Sequence, residues 1–155
     1  MYNPDKMYLR YIESEIKKGE KTMECKCDCE CNSCKTTELG DICCISQMEN
    51  GKAFLKDALC LTGCEISVNC LPAGCKVPFC HKHKQNEEVY IFLKGEGKMW
   101  IDDCCVWVKE GSCVKVDPCA KRTLENCCDC GLEYICVQAK AGSLEQCGMT
   151  DAEIC

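Results

Sequence analysis

Between residues 42 and 140, apolar and polar positions alternate in short bursts. The β-type runs are 42–48, 52–56, 64–71, 77–83, 87–94, 97–101, 104–109, 113–116, 121–126 and 132–140. Turn-forming residues separate them: Glu49-Asn50-Gly51, Pro72-Ala73-Gly74, Asp102-Asp103 and Lys109-Glu110-Gly111. Many short strands at this spacing predict an all-β, antiparallel sandwich or barrel. One more run, 22–31, precedes them. In it Met23, Cys25, Cys27, Cys29 and Cys31 share one parity, and Glu24, Lys26, Asp28 and Glu30 the other. That is the period of a strand with one face buried and one in water.

The two ends read differently. From Asp5 to Lys18 the spacing of Met7, Tyr8, Tyr11, Ile12 and Ile16 predicts a helix, with Gly19 as its stop signal. The tail SLEQCGMTDAEIC reads as a short helix. The expected organisation is an N-terminal helical segment (1–21), a β-barrel (22–145) and a C-terminal tail (146–155).

Composition adds constraints. The 155 residues are 46% hydrophobic, enough for one domain with a real core. A net charge of -6 argues against a nucleic-acid or anionic-membrane surface. No run approaches the roughly 18 apolar residues of a membrane span. The first 21 residues carry acidic side chains and no apolar signal core, so a cytoplasmic location is expected.

There are 22 cysteines. The run CKCDCECNSC (Cys25–Cys34) admits two readings, a thiolate cluster or a strand with thiols in place of valine. Thiols two residues apart on one strand face lie in a line and do not enclose a single ion, whereas a structural zinc site needs four converging ligands. Cys31 and Cys34 stay open as an adventitious metal pair. The cysteines are expected to be mostly reduced and to serve as small core hydrophobes.

The chain has two histidines, in Cys80-His81-Lys82-His83. On extended backbone His81 and His83 share a face. In the next strand Glu88, Tyr90 and Phe92 form one parity and Val89, Ile91 and Leu93 the other. If Glu88 faces the histidines, two imidazoles and a carboxylate make a facial triad that leaves coordination positions open. Two surface histidines beside a stray glutamate are the plain alternative.

The residues from Pro78 to Gly97 resemble the first motif of the cupin superfamily: H-x-H, three or four residues, a glutamate, six residues and a glycine. His81, His83, Glu88 and Gly95 match it. A second stretch, Gly111 to Asn126, resembles the second motif in its glycine, Pro118 and Asn126. Together the resemblance covers about residues 52–140. It implies a cupin-type double-stranded β-helix (jelly-roll) barrel, with the short N-terminal helix packed outside. It also implies a divalent metal ion (Fe, Mn, Ni or Zn) on His81, His83 and Glu88.

Two positions depart from the family. Arg122 stands where the second motif supplies a further histidine ligand, and a guanidinium does not ligate metal. Arg122 is expected either to anchor a substrate carboxylate or phosphate or to form a salt bridge with Glu88 that replaces the metal. Cys119 stands where the family has a turn glycine, which suggests a strained turn. Cys70, Cys75, Cys119 and Cys136 are the thiols able to reach the interior, while Cys80 faces away from His81.

Three functions remain open: a metal-dependent small-molecule enzyme such as an oxygenase or isomerase, a metal-free small-molecule binder, and a thiol-rich metal-sequestering protein. In the first, Arg122 and Tyr90 contact the substrate, with Tyr90 a proton donor. Expected partners are a small-molecule ligand and a second copy of the chain, with no nucleic acid and no membrane.

Overall fold

The computed structural model describes residues 33–48 and 51–154. The chain enters through a 3-10 turn, Ile42–Gln47. It then forms β1 (Lys52–Phe54), one helical turn α1 (Lys56–Leu59), β2 (Glu65–Leu71), β3 (Asn86–Lys94), β4 (Glu96–Ile101), β5 (Cys104–Lys109), β6 (Cys113–Val116), β7 (Arg122–Asn126) and β8 (Leu132–Lys140). A second 3-10 turn, Gly148–Thr150, lies in the tail.

All strand pairs are antiparallel and fall in two sheets, in the orders β1-β2-β8-β3-β6 and β5-β4-β7. The architecture is therefore the expected all-β jelly roll, but its two sheets do not close into a continuous barrel among the described residues. The inner faces meet in a core of Tyr90, Phe92, Met99, Val108, Val116, Leu124, Leu132, Tyr134 and Cys136. A second cluster, Ile45, Ala53, Val68 and Cys70, lies where Leu39, Ile42, Leu55 and Ile135 pack around it.

Several expectations need correction. The run 42–48 forms a 3-10 turn instead of a strand: Ile42 and Ile45 pack on the second cluster, and three-residue spacing is that of 3-10 geometry. The tail contains only the three-residue turn in place of a helix. Segment 77–83 is extended but is no strand, because it touches β7 only through isolated bridges at Lys76–Glu125 and His81–Arg122. Eight strands are present among the described residues, where about a dozen were expected. The predicted helix over 5–18 and the strand over 22–31 lie outside the described residues.

The cysteines depart most. Among the described residues only Cys70 and Cys136 are buried; Cys64 and Cys128 are half-buried and the rest exposed. Thiols are thus mostly surface groups and not substitutes for core valines. Cys119 does not need a glycine's backbone freedom, since the turn closed by Ala120 N–H on Asp117 O forms without a positive φ there.

Two glycines and an asparagine set the approach of the sheets. Gly95 joins β3 to β4 with φ +84°, and a Cβ there would stand 3.0 Å from the carbonyl oxygen of Gly131. At Gly97 a Cβ would collide with the carbonyl oxygen of Glu125 and come within 2.9 Å of Leu132 Cδ2. Asn126 is buried, and its Nδ2 donates toward the carbonyls of Leu71 (2.9 Å), Pro72 (3.0 Å) and Cys130 (2.7 Å).

Gly97→Ala therefore forces backbone to move and is expected to lower stability by ~1–3 kcal/mol in denaturant unfolding. Asn126→Ala removes the buried donor shared by these three carbonyls and is expected to lose about 1–3 kcal/mol by the same measurement.

Candidate metal and ligand site

The segment 75–83 has no strand of its own, yet it is fixed. Asn126 N–H donates to Cys75 O (2.8 Å), Val77 N–H to Leu124 O (2.8 Å) and Arg122 N–H to His81 O (2.8 Å). His81 N–H returns to Arg122 O (3.1 Å), and His83 N–H reaches Pro118 O (2.9 Å). The segment thus runs antiparallel beside β7, so His81 and His83 stand against the start of that strand. Their rings project together, with centroids 5.3 Å apart and nearly perpendicular.

Glu88 comes from the opposite sheet. On β3, Glu88, Tyr90 and Phe92 are buried on the inner face while Val89, Ile91 and Leu93 are half-buried, although both sets are largely apolar in sequence. The Glu88 carboxylate is fully engaged. His83 Nε2 lies 2.9 Å from Oε1, the Tyr90 hydroxyl donates to Oε2 at 2.7 Å, and Arg122 Nε stands 3.1 Å from Oε2. Both members of the ion pair are buried, Arg122 to 1% exposure and Glu88 to 5%.

Electrostatics follow from this packing. Burial opposes the Glu88 charge, but the Tyr90 hydroxyl, His83, Arg122 and His81 together outweigh it and hold the carboxyl below its usual range. Burial pushes the His81 imidazole down, opposed by Glu88 and helped by Arg122 and His83, so it is neutral near pH 7. Burial, then Cys136 and Glu88, raises the Tyr90 phenol far above its ordinary value, so it stays a hydrogen-bond donor.

These residues line a cavity of about 250 Å³ between the sheets, shared with Ser67, Asn69, Phe79, Tyr134 and Cys136. Its walls hold unsatisfied polar atoms. Arg122 Nη2 donates to Asp117 O at 3.3 Å, but Nη1 has no partner among the described residues, and Nε–H is not aligned for a hydrogen bond. His81 Nδ1 and Asn69 Oδ1 are likewise buried without partners. A buried polar group normally finds one.

The donor set fits a divalent ion. One ligand atom each from His81, His83 and Glu88 lies within 4.8 Å of the others. The 2.9 Å between His83 Nε2 and Glu88 Oε1 equals the gap between neighbouring ligands of a six-coordinate ion with bonds of ~2.1 Å. The Tyr90 hydroxyl would supply the outer hydrogen bond that orients Glu88 as a ligand. Arg122 adds no ligand and sets a positive charge beside Glu88.

All five residues singled out in the sequence, His81, His83, Glu88, Tyr90 and Arg122, meet here. The cysteines expected near the interior divide. Cys136 lines the cavity, and burial with the Glu88 charge pushes its thiol up to about 12. Cys70 is buried in the other cluster, and Cys75 and Cys119 are exposed. Ser67 and Asn69 were missed. They share a polar parity with Glu65, a pattern that ordinarily marks the solvent face, whereas here all three line the cavity.

Comparison with known proteins agrees with this architecture. Residues 68–138 match the family model described as a cupin domain. A cupin protein from Bacteroides fragilis superposes with a TM-score of 0.71 and 36% identity, covering 80% of this chain and 98% of that one. A protein from Photorhabdus luminescens has the same fold at 13% identity, TM-score 0.53, covering 58% of this chain and 74% of that one. An uncharacterized protein of Methanocaldococcus jannaschii is 33% identical over 66 residues, 43% of this chain, and the chain spans about half of that relative's length (52%). The chain with the His81, His83 and Glu88 constellation belongs to the cupin family.

Proposed function

We propose that the cavity binds one divalent metal ion together with a small organic anion, His81, His83 and Glu88 holding the ion and Arg122 anchoring the anion. The observation that carries this reading is Arg122 itself: a buried guanidinium with an unpartnered Nη1 in the wall of the cavity that holds the three ligands.

Charge supports the pairing. Arg122 and Glu88 cancel, and so do Lys52 and Glu65, which also line the cavity. A divalent ion added to that neutral set leaves the pocket with two positive charges and no counter-charge. An anion beside Arg122 supplies it. Asn69, which lines the cavity and has an unpartnered Oδ1, adds an acceptor for a hydrogen-bond donor on the ligand. A small hydroxy acid supplies a hydrogen-bond donor and one of the two charges. A zwitterionic amino acid supplies the donor and a carboxylate but no net charge, and the size of either suits the cavity.

The protein's own groups then have defined tasks. Arg122 orients the acid group and Asn69 Oδ1 accepts a hydrogen bond from a hydroxyl or amine. Tyr90 keeps Glu88 in place. Phe79 and Tyr134 give the pocket apolar walls. When bound, the ion supplies Lewis acidity and open coordination positions for the ligand. Oxygenase and isomerase chemistry are both consistent with such a centre, and fold alone does not choose between them.

A second reading has its own observation. The Glu88 carboxylate is satisfied by His83, Tyr90 and Arg122 with no ion at all. In that case the protein is a metal-free binder of the same anion. Among the described residues no helix is long and apolar enough to cross a membrane.

Titration calorimetry of chelator-treated protein with Mn2+ or Zn2+ separates the readings. The expected result is about one ion per chain, lost in His81→Ala and in Glu88→Gln and unchanged by thiol alkylation. Metal retained in His81→Ala but lost on alkylation would assign it to the cysteines. No binding in the wild type would leave the metal-free binder. In a parallel titration with lactate and serine, Arg122→Met is expected to weaken binding about ten- to hundredfold, as loss of a charged hydrogen bond implies. Unchanged affinity would remove Arg122 from the ligand site.

A further inference from the structure

The turn between β7 and β8 carries Cys127, Cys128 and Cys130, and the proposed cavity chemistry uses none of them. Cys128 Sγ and Cys130 Sγ lie 3.5 Å apart. Asn126 holds the turn in shape: its Oδ1 accepts Cys128 N–H at 2.9 Å, and its Nδ2 donates to Cys130 O at 2.7 Å. The backbone N–H of Glu96 points at Cys128 Sγ from 3.5 Å. Cys127 is exposed, and its thiol is directed to the Glu125 carbonyl oxygen at 4.0 Å.

The two thiols are not equivalent. Cys128 is half-buried and Cys130 exposed. Burial opposes a thiolate at Cys128, but the backbone N–H groups of Glu96 and Cys130 and the Cys130 thiol outweigh it, and the pKa falls below its ordinary value. At Cys130 the hydrogen bond with Cys128 and burial push the other way. Cys128 Sγ donates to Asn126 Oδ1 at 2.9 Å and lies 3.5 Å from the accessible Cys130 thiol. A thiol of lowered pKa beside a second thiol is the arrangement of a nucleophilic and a resolving cysteine. A soft-metal site fits less well. The groups of three or more metal-ligating side chains among the described residues are Asp41-Cys43-Cys44 and His81-His83-Glu88, so this pair lacks the further ligands a closed zinc site needs.

We propose that Cys128 and Cys130 form a redox-active dithiol that exchanges with low-molecular-weight disulfides. The Cys128 thiolate attacks one sulfur of the small disulfide. Its S–S bond breaks, one small thiolate leaves, and Cys128 carries a mixed disulfide. Cys130 then gives up its proton and attacks Cys128 Sγ, expelling the second small thiol. The two protein thiols are oxidised to one disulfide, and the small disulfide is reduced to two thiols. The exchange is independent of the metal-and-anion reading, since neither thiol lines the cavity.

The test treats reduced full-length protein with glutathione disulfide, quenches with an alkylating agent and maps the tryptic peptide Thr123–Lys140. The expected product is that peptide lacking two hydrogens, with fragmentation placing the link between Cys128 and Cys130. Cys130→Ser is expected to accumulate the mixed disulfide on Cys128, and Cys128→Ser to form no link. On unmutated protein at pH 7, Cys128 is expected to be alkylated several-fold faster than exposed Cys104. A link through Cys127, a peptide that stays reduced while Cys104 is oxidised, or equal alkylation rates would overturn the proposal.

Discussion

Glu88 and Arg122 meet between the two sheets, one from β3 and one from β7, and neither is stable as a charge there without the other. An unpaired buried charge costs several kcal/mol, so removing one partner is far more damaging than removing both. The pair also fixes distance, since a separation of 3.1 Å ties the facing strands at the level of the cavity. Tyr90 and His83 complete the carboxylate's hydrogen bonding and keep it from turning away.

The rest of the site is arranged around this contact. The backbone exchange between His81 and Arg122 places the histidines on the guanidinium side of the cavity, so two imidazoles face the carboxylate across it. The same residue that neutralises Glu88 sets a cation beside the group of His81, His83 and Glu88. In the proposed reading, the ion and an organic anion occupy the pocket as partners in charge.

Much of the frame was legible in the sequence. Short β-type runs bounded by turn residues located the strands from β2 to β8 within a residue or so, and Glu88, Tyr90 and Phe92 differ in burial from Val89, Ile91 and Leu93 because β3 has an inner and an outer face. His-x-His and the spacing to Glu88 and Gly95 were legible through the resemblance to the cupin motif, and at Gly95 a Cβ would stand 3.0 Å from the Gly131 carbonyl oxygen. Alternation does not say which face is inside, however. Glu65, Ser67 and Asn69 look like a solvent face and line a polar cavity instead. Nor does it separate a strand from an extended segment: 77–83 has strand-like composition, but regular pairing requires a neighbour in register, and β7 offers only bridges. The cysteines misled for a related reason. A thiol is small and weakly polar, tolerated on either face, so its parity carries little information about burial.

The central claim, that Glu88 and Arg122 form one interdependent buried unit, is tested most directly by a double-mutant cycle. Unfolding free energies of wild type, Glu88→Gln, Arg122→Met and the double variant would be measured in chelator-containing buffer. Each single variant is expected to lose about 3–5 kcal/mol, and the double variant much less than their sum, giving a coupling of at least ~2 kcal/mol. Additive losses would show that the two charges are stabilised separately and would contradict the account.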